Sequence, residues 1–422
     1  MNKLLREWWR RVCRVLSVAF VLCGIPTMVS AQKVLLTQVP LQLYDAETGR
    51  LEATWPGRGT ASMFTADGRY VLTPSGMGGL QVIDITSGAL VDVPISFQPL
   101  RPDPRAVAMY GLTGGPLSFG VMIRGTLARV DASGLTAYEG CPAGTAIAVD
   151  VSGDGALLFE HCDSGDLAVL DSHTGRVIRT LPLGQGVSFA AMFDGATLVV
   201  TRPVAGGAIE LLDSTTGATL ASTVVPGSST CTPFLSAFSL DRTTLIVSCT
   251  TFGLPLPEWS SRVLSAPTLT WGATLEGLSR QFTGISPDNR VAFSSWSHRL
   301  NIFGNVQRHD LTTGLVTASV PIMSTIAVSY APLPPAATAA VTGRQVDLHW
   351  TLSAASPDVT SYIVEVGTAS GLANVGMVAV GLQSSLSVPA APSGRYYVRV
   401  RAKNASGTSA PSSELIVDVP YQ

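Results

Sequence analysis

The sequence lacks the short motifs that identify many enzyme active sites. Its 422 residues contain no Gly-x-Ser-x-Gly nucleophile elbow, no His-Glu-x-x-His zinc motif, no phosphate-binding loop and no EF-hand loop. The five histidines are scattered along the chain, and no two of them stand at the spacing of metal ligands. We therefore expect a protein that is not an enzyme and that binds no metal or other cofactor.

Basic residues are also scarce once the first 31 residues are set aside. That segment holds five basic residues and one acidic residue, so 22 of the 27 basic and 28 of the 29 acidic residues remain, a formal charge of −6. Lysine then occurs only as Lys33 and Lys403. A negative net charge argues against binding to nucleic acid and to anionic membrane surfaces.

The first 31 residues have the three parts of a secretory signal peptide. Basic residues come first, an apolar stretch follows at 15–25, and the small residues of Val-Ser-Ala at 29–31 precede a cleavage point at Gln32. The apolar stretch is shorter than the ~20 residues that a membrane span needs, although an uncleaved anchor is the alternative. We expect a secreted protein of the extracellular space, or of the periplasm and cell envelope, with no membrane span after cleavage.

A short turn, in most copies Asp-x-x-Thr-Gly or a close variant, recurs seven times, and its spacing predicts the architecture. Successive turns lie 39, 47, 40, 42, 52 and 45 residues apart, which is the length of one four-stranded propeller blade. The Asp side chain can accept hydrogen bonds from the backbone of the turn, and the Gly tolerates positive φ. The turns begin at Asp45, Asp84, Asp131, Asp171, Asp213, the degenerate Ser265, and Asp310.

The strand count predicts how the ring closes. Six complete blades are expected at 61–97, 104–140, 143–183, 187–226, 232–276 and 280–321. The opening segment 33–56 holds three strands, and the segment 324–330 is one surplus strand. Joined, they form a seventh blade, which removes the open sheet edges of an incomplete ring.

The repeat resembles that of bacterial surface-layer seven-bladed β-propellers, the YVTN or WD40-like type. Asp67-Gly68-Arg69-Tyr70, followed by Val82 to Gly88, matches the pattern of that family. The resemblance covers residues 32–331 and implies an all-β fold. Propellers of this kind serve as enzymes, adhesins and scaffolds, so the resemblance does not choose among these functions.

A second domain is expected after a proline-rich linker at 332–336. Residues 337–422 resemble a fibronectin type III module, an immunoglobulin-like β-sandwich. The resemblance implies an early strand bearing Trp350 and a corner tyrosine at Tyr396. Val398 and Val400 would then point inward. No Arg-Gly-Asp sequence is present to support integrin-type adhesion.

Four cysteines follow the predicted signal peptide, and their positions predict two disulfides within blades. Cys141 and Cys162 flank one blade's first hairpin, and Cys231 and Cys249 flank the equivalent hairpin of a later blade. Closing loops of about 20 residues stabilises the fold by roughly 3 kcal/mol each in the chain-entropy model. The alternative is a four-thiolate metal site, which would need close Cys-x-x-Cys pairs.

Candidate binding residues gather in loops that emerge on one face of the predicted propeller. Two of these loops, at about 250–261 and 294–300, are long, and exposed aromatic and charged side chains on such loops suit a protein, peptide or glycan epitope. In the alternative interpretation the tryptophans only fill the spaces between blades. The candidates are Glu160, His161, Arg202, Glu258, Trp259, Trp296, His298 and Arg299.

These observations favour a secreted, non-catalytic binding or scaffold protein. One alternative is an extracellular propeller hydrolase or lyase with its site on the same loop face. A second is an architectural component of the envelope or matrix that assembles through its blades.

Overall fold

The computed structural model describes most of the chain after residue 32. The described residues are 33–36, 41–45, 50–55, 63–65, 67–74, 80–93, 107–111, 119–123, 126–131, 134–141, 146–152, 154–192, 195–202, 207–227, 231–251, 258–276, 281–296, 305–320, 325–353 and 356–421. They divide into two compact units, one within Lys33–Ser329 apart from Asp67–Arg69, and the other containing Tyr330–Gln422. Within the described residues, no helix is long and apolar enough to cross a membrane.

Among the described residues, the first unit contains seven four-stranded antiparallel sheets, which we number as blades. Blade 1 contains Met63–Phe64, Tyr70–Pro74, Leu80–Asp84 and Leu90–Val93. Blade 2 contains Val107–Gly111, Phe119–Ile123, Thr126–Asp131 and Gly134–Ala137. Blade 3 contains Ala146–Val151, Leu157–Cys162, Asp166–Asp171 and Val177–Pro182.

The next three blades repeat the same strand order. Blade 4 contains Ser188–Ala191, Thr197–Arg202, Ala208–Asp213 and Thr219–Val224. Blade 5 contains Thr232–Phe238, Thr244–Thr251, Glu258–Ser265 and Thr270–Leu275. Blade 6 contains Gln281–Ile285, Val291–Trp296, Asn305–Asp310 and Val316–Val320.

Blade 7 joins the two ends of the unit. Its inner strand, Thr325–Ser329, pairs antiparallel with Lys33–Leu36, which continues into Leu41–Asp45 and Leu51–Trp55. The inner strand of blade 7 also contacts the inner strands of blade 6 and blade 1. The fold is therefore all-β, and the first unit is a seven-bladed propeller in which the last strand of the unit completes the sheet begun by the first.

The Asp-Gly turns form as local chemistry requires. In blade 3 the Asp171 carboxylate accepts hydrogen bonds from the backbone N–H groups of His173 at 2.9 Å and Thr174 at 2.7 Å, and from the Thr174 hydroxyl at 3.0 Å. Gly175 adopts φ of 70° as its N–H bonds to the Asp171 carbonyl. The hydrogen bonds from Thr174 lower the pKa of Asp171. Asp213 and Asp310 form the same turn.

The blades pack through alternate residues of their strands, because successive side chains point to opposite faces of a sheet. Leu158 of blade 3 belongs to an apolar cluster with Tyr138, from the segment that precedes the blade. Its neighbour Phe159 belongs instead to a cluster with Phe189 and Leu198 of blade 4. Burying a side chain of this size contributes roughly 1.5–3 kcal/mol, so the interfaces between blades hold the ring together.

Two disulfides link cysteines within the propeller. Cys141 bonds to Cys162 with 5.8 Å between their Cα atoms, and Cys231 bonds to Cys249 with 5.4 Å. These are the two pairs predicted from the spacing. Each bond ties the segment before an inner strand to the second strand of the same blade.

The second unit has two antiparallel sheets around one apolar core. One sheet contains Ala336–Thr342, Gln345–Thr351 and Ser385–Val388. The other contains Ser361–Gly367, Gly376–Ala379, Gly394–Asn404, Gly407–Thr408 and Leu415–Val419. Trp350, Val398 and Val400 are buried in the shared core. Ala336, which the sequence assigned to the linker, already belongs to the first strand.

Candidate functional site

The two ends of the blades differ in what they carry. The first hairpin turn and the Asp-Gly turn of each blade lie at one end, which we name the turn face. The connections between second and third strands, together with the segments between blades, lie at the other end, which we name the loop face. Six of the eight candidate binding residues, those that the structure describes, belong at or near the loop face, because each stands where a second strand ends or a third strand begins.

In blade 5 the second and third strands extend further toward the loop face than the sequence predicted. The second strand of blade 5 continues to Thr251, and the third begins at Glu258, so Glu258 and Trp259 lie in a strand and not in a loop. Trp259 is paired in register with Thr250, and Trp296 ends a strand opposite Asn305. Threonine and tryptophan favour strands, which accounts for the extension. His298 and Arg299 lie outside the described residues.

The prediction that Glu160 and His161 lie in an exposed loop was wrong. Both lie in the second strand of blade 3, and both are fully buried. The strand continues to Cys162, whose disulfide holds it in the blade. Neither side chain is therefore available to a partner on the surface.

His161 supports the segment between blades 3 and 4. Its Nε2 atom lies 2.9 Å from the carbonyl oxygen of Gly184, and the edge of the imidazole meets the Phe189 ring with 6.2 Å between centroids. Gly184 adopts φ of 89°, and its N–H bonds to the Gly165 carbonyl. A Cβ atom on Gly165 would lie 3.1 Å from the Gly184 backbone, so this close approach favours glycine.

Arg202 holds the same segment from blade 4. Its guanidinium donates to the Leu183 carbonyl, and its Nε atom donates to the Glu210 carboxylate at 3.1 Å. His161 and Arg202 therefore contact adjacent carbonyl groups, those of Gly184 and Leu183. The structure thus brings these two candidates together as a framework beneath the loop face, and Arg202 is already engaged in hydrogen bonds.

Glu160 lies in an unusual environment for a carboxylic acid. Neither of its carboxyl oxygens has a hydrogen-bond partner, although the side chain is fully buried. Burial raises the pKa of Glu160 to about 7, because the ionised form has lost its hydration. The carboxyl group therefore keeps its proton to a higher pH than an exposed glutamate does.

His309 of blade 6 shows the opposite shift. It is fully buried, and its Nε2 atom lies 2.7 Å from the Ser294 hydroxyl. Burial lowers the pKa of His309 to about 4, so the imidazole is neutral near pH 7. A serine beside a neutral histidine resembles part of a hydrolase site, but no solvent reaches either side chain.

An ion pair at the turn face was not predicted from the sequence. Arg242 of the first hairpin turn of blade 5 contacts the Asp150 carboxylate of blade 3, with 2.8 Å between the nearest nitrogen and oxygen atoms. Arg242 adopts φ of 58°, at the position where blades 1, 3 and 4 have Gly68, Gly155 and Gly195. In an alignment of the repeats, an arginine stands where glycine is usual. This departure from the repeat is the feature of the sequence that could have indicated the ion pair.

Across the described ranges, no group of three or more His, Cys, Asp or Glu side chains is arranged to hold a metal ion. In blades 3 and 4, His161 and Arg202 contact the backbone carbonyls of Gly184 and Leu183. These contacts fix the backbone at the loop face. A preformed binding surface requires such a fixed backbone.

No family model matches the chain, and no curated protein matches it. Among solved structures it is similar to the β-propeller domain of Cps50 (Swd1) from Myceliophteria thermophila, with a TM-score of 0.45 and 15% identity, covering 67% of this chain and 91% of that one. The sheets themselves define the class: a seven-bladed β-propeller followed by a smaller all-β unit.

Proposed function

We propose that this chain is a secreted, non-catalytic binding scaffold whose loop face recognises a protein, peptide or glycan. The observation that carries the proposal is that His161 contacts the Gly184 carbonyl and Arg202 donates to the Leu183 carbonyl. These two contacts fix the loop-face backbone between blades 3 and 4. A surface that is already ordered loses little conformational entropy when a partner binds.

The strands of blades 5 and 6 bring two tryptophans to the loop-face end of the propeller. Trp259 stands next to the start of a third strand, and Trp296 ends a second strand, so both belong to the loop-face end of neighbouring blades. Tryptophan is enriched among the residues that dominate binding energy at interfaces. We assign the two tryptophans to the recognition surface, with Glu258, His298 and Arg299 as polar contacts around them.

The two disulfides support export from the cytosol. Cys162 is 1% exposed, and Cys231 and Cys249 are each 2% exposed, so three of the four sulfur-bearing residues are shielded from solvent. Disulfides of this kind form and persist in oxidising compartments. Together with the signal-like first 31 residues, they favour the extracellular space or the cell envelope.

We assign the second unit to a fibronectin type III-like module that spaces or docks the propeller. The Tyr396 hydroxyl donates to the Pro392 carbonyl at 3.0 Å, as a corner tyrosine does. Trp350 lies against Tyr362 in the core, with 5.8 Å between ring centroids. These two contacts support the assignment of a fibronectin type III-like module.

The buried titratable groups favour binding over catalysis. Glu160 and His309 have the pKa shifts that catalytic residues often have, but both side chains are fully buried. A general acid or base must come within hydrogen-bonding reach of its substrate. We therefore do not assign them a hydrolase or lyase reaction.

The proposal is tested by binding of loop-face variants to extracts of the native cell envelope and to arrayed glycans. Trp259→Ala and Trp296→Ala should each weaken capture of a shared ligand by about 30-fold, the equivalent of ~2 kcal/mol. Trp271→Ala is the matched control, because Trp271 lies in the outer strand of blade 5, where its indole donates to Thr223. The control should bind normally.

The result also separates binding from packing. If the tryptophans only fill space between blades, both variants should lose stability in thermal unfolding while their folded fraction binds as the wild type does. Equal binding by all three variants, with unchanged melting temperatures, would remove the loop face from consideration as the recognition surface.

A further inference from the structure

The two disulfides occupy equivalent places in blades 3 and 5. Cys162 and Cys249 each follow the Asp of the first hairpin turn, Asp154 or Asp241, by eight residues. Each is joined to a cysteine in the segment before the inner strand of its own blade. One bond can therefore serve as an internal reference for the other.

The surroundings of the two bonds differ in exposure and in one buried residue. Cys141 is partly exposed, whereas Cys231 is 2% exposed. Two residues before Cys162 the chain has Glu160, and two residues before Cys249 it has Val247. The same position holds Thr73, Val200 or Ser294 in other blades. Among these aligned blades, only blade 3 places a carboxylic acid there.

The Glu160 side chain shares a strand face with Cys162 and lies against the segment that bears Cys141. Glu160 and Cys162 are separated by one residue in a strand, so their side chains share one face of the sheet. A Cβ atom on Gly140 would be 3.8 Å from one carboxyl oxygen and 4.0 Å from the other, which places the carboxyl group against the Gly140–Cys141 backbone. Neither oxygen has a hydrogen-bond partner.

We propose that the Cys141–Cys162 disulfide is a redox-active site that reacts with a low-molecular-weight dithiol, and that Glu160 exchanges a proton with the sulfur of Cys162. The accessible end of the bond is Cys141, and the buried end is Cys162. The carboxyl group at the buried end supplies a proton directly to the sulfur that leaves.

The reaction balances in two steps. A thiolate of the dithiol attacks the Cys141 sulfur, the S–S bond breaks, and its electron pair moves to the Cys162 sulfur. Glu160 in its acid form protonates that sulfur and becomes a carboxylate. The second thiol of the reagent loses its proton and displaces Cys141, which leaves as a thiolate. The dithiol is thereby oxidised to a disulfide, the protein gains two thiols once Cys141 is protonated, and solvent reprotonates Glu160.

Burial supports this role, because it raises the pKa of Glu160 to about 7 and keeps a proton available near neutral pH. Among the described side chains of the elements on this face, the other titratable groups besides the cysteines are Tyr138, which donates to the Ser172 carbonyl, Glu139, which accepts the Val177 N–H, and Asp166, which accepts from the Ser164 hydroxyl. The adjoining strands of blade 2 contain Tyr110, Arg129 and Asp131, whose side chains lie outside the described residues.

The experiment measures reduction of both disulfides in the same sample of folded protein. Dithiothreitol is added at pH 6, 7 and 8, the reaction is stopped by alkylation, and mass spectrometry of peptides gives a rate for each bond. The ratio of the two rates cancels the changing thiolate fraction of the reagent. We expect Cys141–Cys162 to react at least about tenfold faster at pH 7, with a ratio that falls as pH rises to 8.

Two variants separate the proton transfer from a structural effect. Glu160→Gln keeps the size of the side chain and removes its proton, so the ratio should drop and lose its dependence on pH. Glu139→Gln makes the same chemical change at the neighbouring exposed carboxylate and should leave the pH profile unchanged.

Three results would overturn the proposal: a wild-type ratio near one, faster reduction of Cys231–Cys249, or a pH step that survives in Glu160→Gln. If Glu160→Gln does not fold, as circular dichroism would show, the wild-type measurement decides alone. In that case a ratio above tenfold that declines through pH 7 supports the proposal, and a pH-independent ratio rejects it.

Discussion

Arg242 and Asp150 form an ion pair between blades that are not adjacent in the ring. Arg242 donates to both carboxylate oxygens of Asp150, at 3.1 and 2.8 Å, and to the Val151 carbonyl at 2.8 Å. Asp150 also accepts the N–H of Ala191 from blade 4 at 2.8 Å. A single carboxylate therefore contacts blades 3, 4 and 5. The guanidinium also lies 3.8 Å from the centre of the Phe238 ring.

Removal of Arg242 should destabilise the propeller strongly. Both partners are nearly buried, with side-chain exposures of 11% and 8%, so Arg242→Ala leaves an uncompensated carboxylate and should cost about 3–5 kcal/mol. Arg242→Gly should cost about 1 kcal/mol less, because glycine adopts the positive φ of this turn without strain. Urea unfolding measures both. Equal stability of the two variants would show that the backbone at this position is unstrained.

Glu160 should make the protein less stable as pH rises. Below its ordinary pKa of 4.5 the carboxyl is protonated in both states, but between pH 4.5 and about 7 the unfolded chain loses the proton and the folded chain keeps it. The free energy of unfolding should fall by about 3 kcal/mol over that range. Glu160→Gln should remove this fall and leave the variant more stable than the wild type at pH 8. Chemical denaturation at a series of pH values tests the sign.

His309 should act in the opposite direction over a similar range. Its pKa is lowered from 6.5 to about 4 by burial, so the unfolded chain takes up a proton that the folded chain does not. Stability from this group is complete above pH 6.5 and should be lost, by about 3 kcal/mol, as pH falls to 4. His309→Gln should abolish that acid-side loss. His173→Gln, at an exposed turn position, is the matched control and should keep it.

The closing strand should be required for a stable propeller. A chain ending after Ile322 lacks Thr325–Ser329, which pairs with Lys33–Leu36, and would leave open sheet edges. It should aggregate or unfold without cooperativity, whereas a chain ending after Pro335 should remain soluble. Size-exclusion chromatography and thermal unfolding compare the two. Identical cooperative melting would mean that blade 7 contributes nothing to the stability of the ring.

The blades could be predicted from the sequence because their turns are local. The carboxylate of Asp171 bonds within its own turn, and Gly175 supplies the positive φ, so the residues that define the feature are neighbours in the chain. The cysteine pairs could be predicted for a related reason, since each pair flanks one hairpin.

The environment of the candidate residues could not be predicted in the same way. Glu160 and His161 are polar, and polarity alone favours an exposed loop, but the strand that carries them continues to Cys162 and is covered on both sides. The contact of Arg242 with Asp150 joins residues 92 positions apart. No local pattern encodes such a distance, and only the anomaly within the repeat, an arginine where glycine recurs, marks the position.

The pairing of Lys33–Leu36 with Thr325–Ser329 also has a consequence for biosynthesis. The two strands are separated by 288 intervening residues, so the first strand leaves the ribosome long before its partner exists. Until then the nascent chain presents an unpaired β-edge, the kind of surface that chaperones protect and that aggregates when they do not. The last step of propeller folding is thus a meeting of the two ends, and its timing depends on synthesis of the residues immediately before Tyr330.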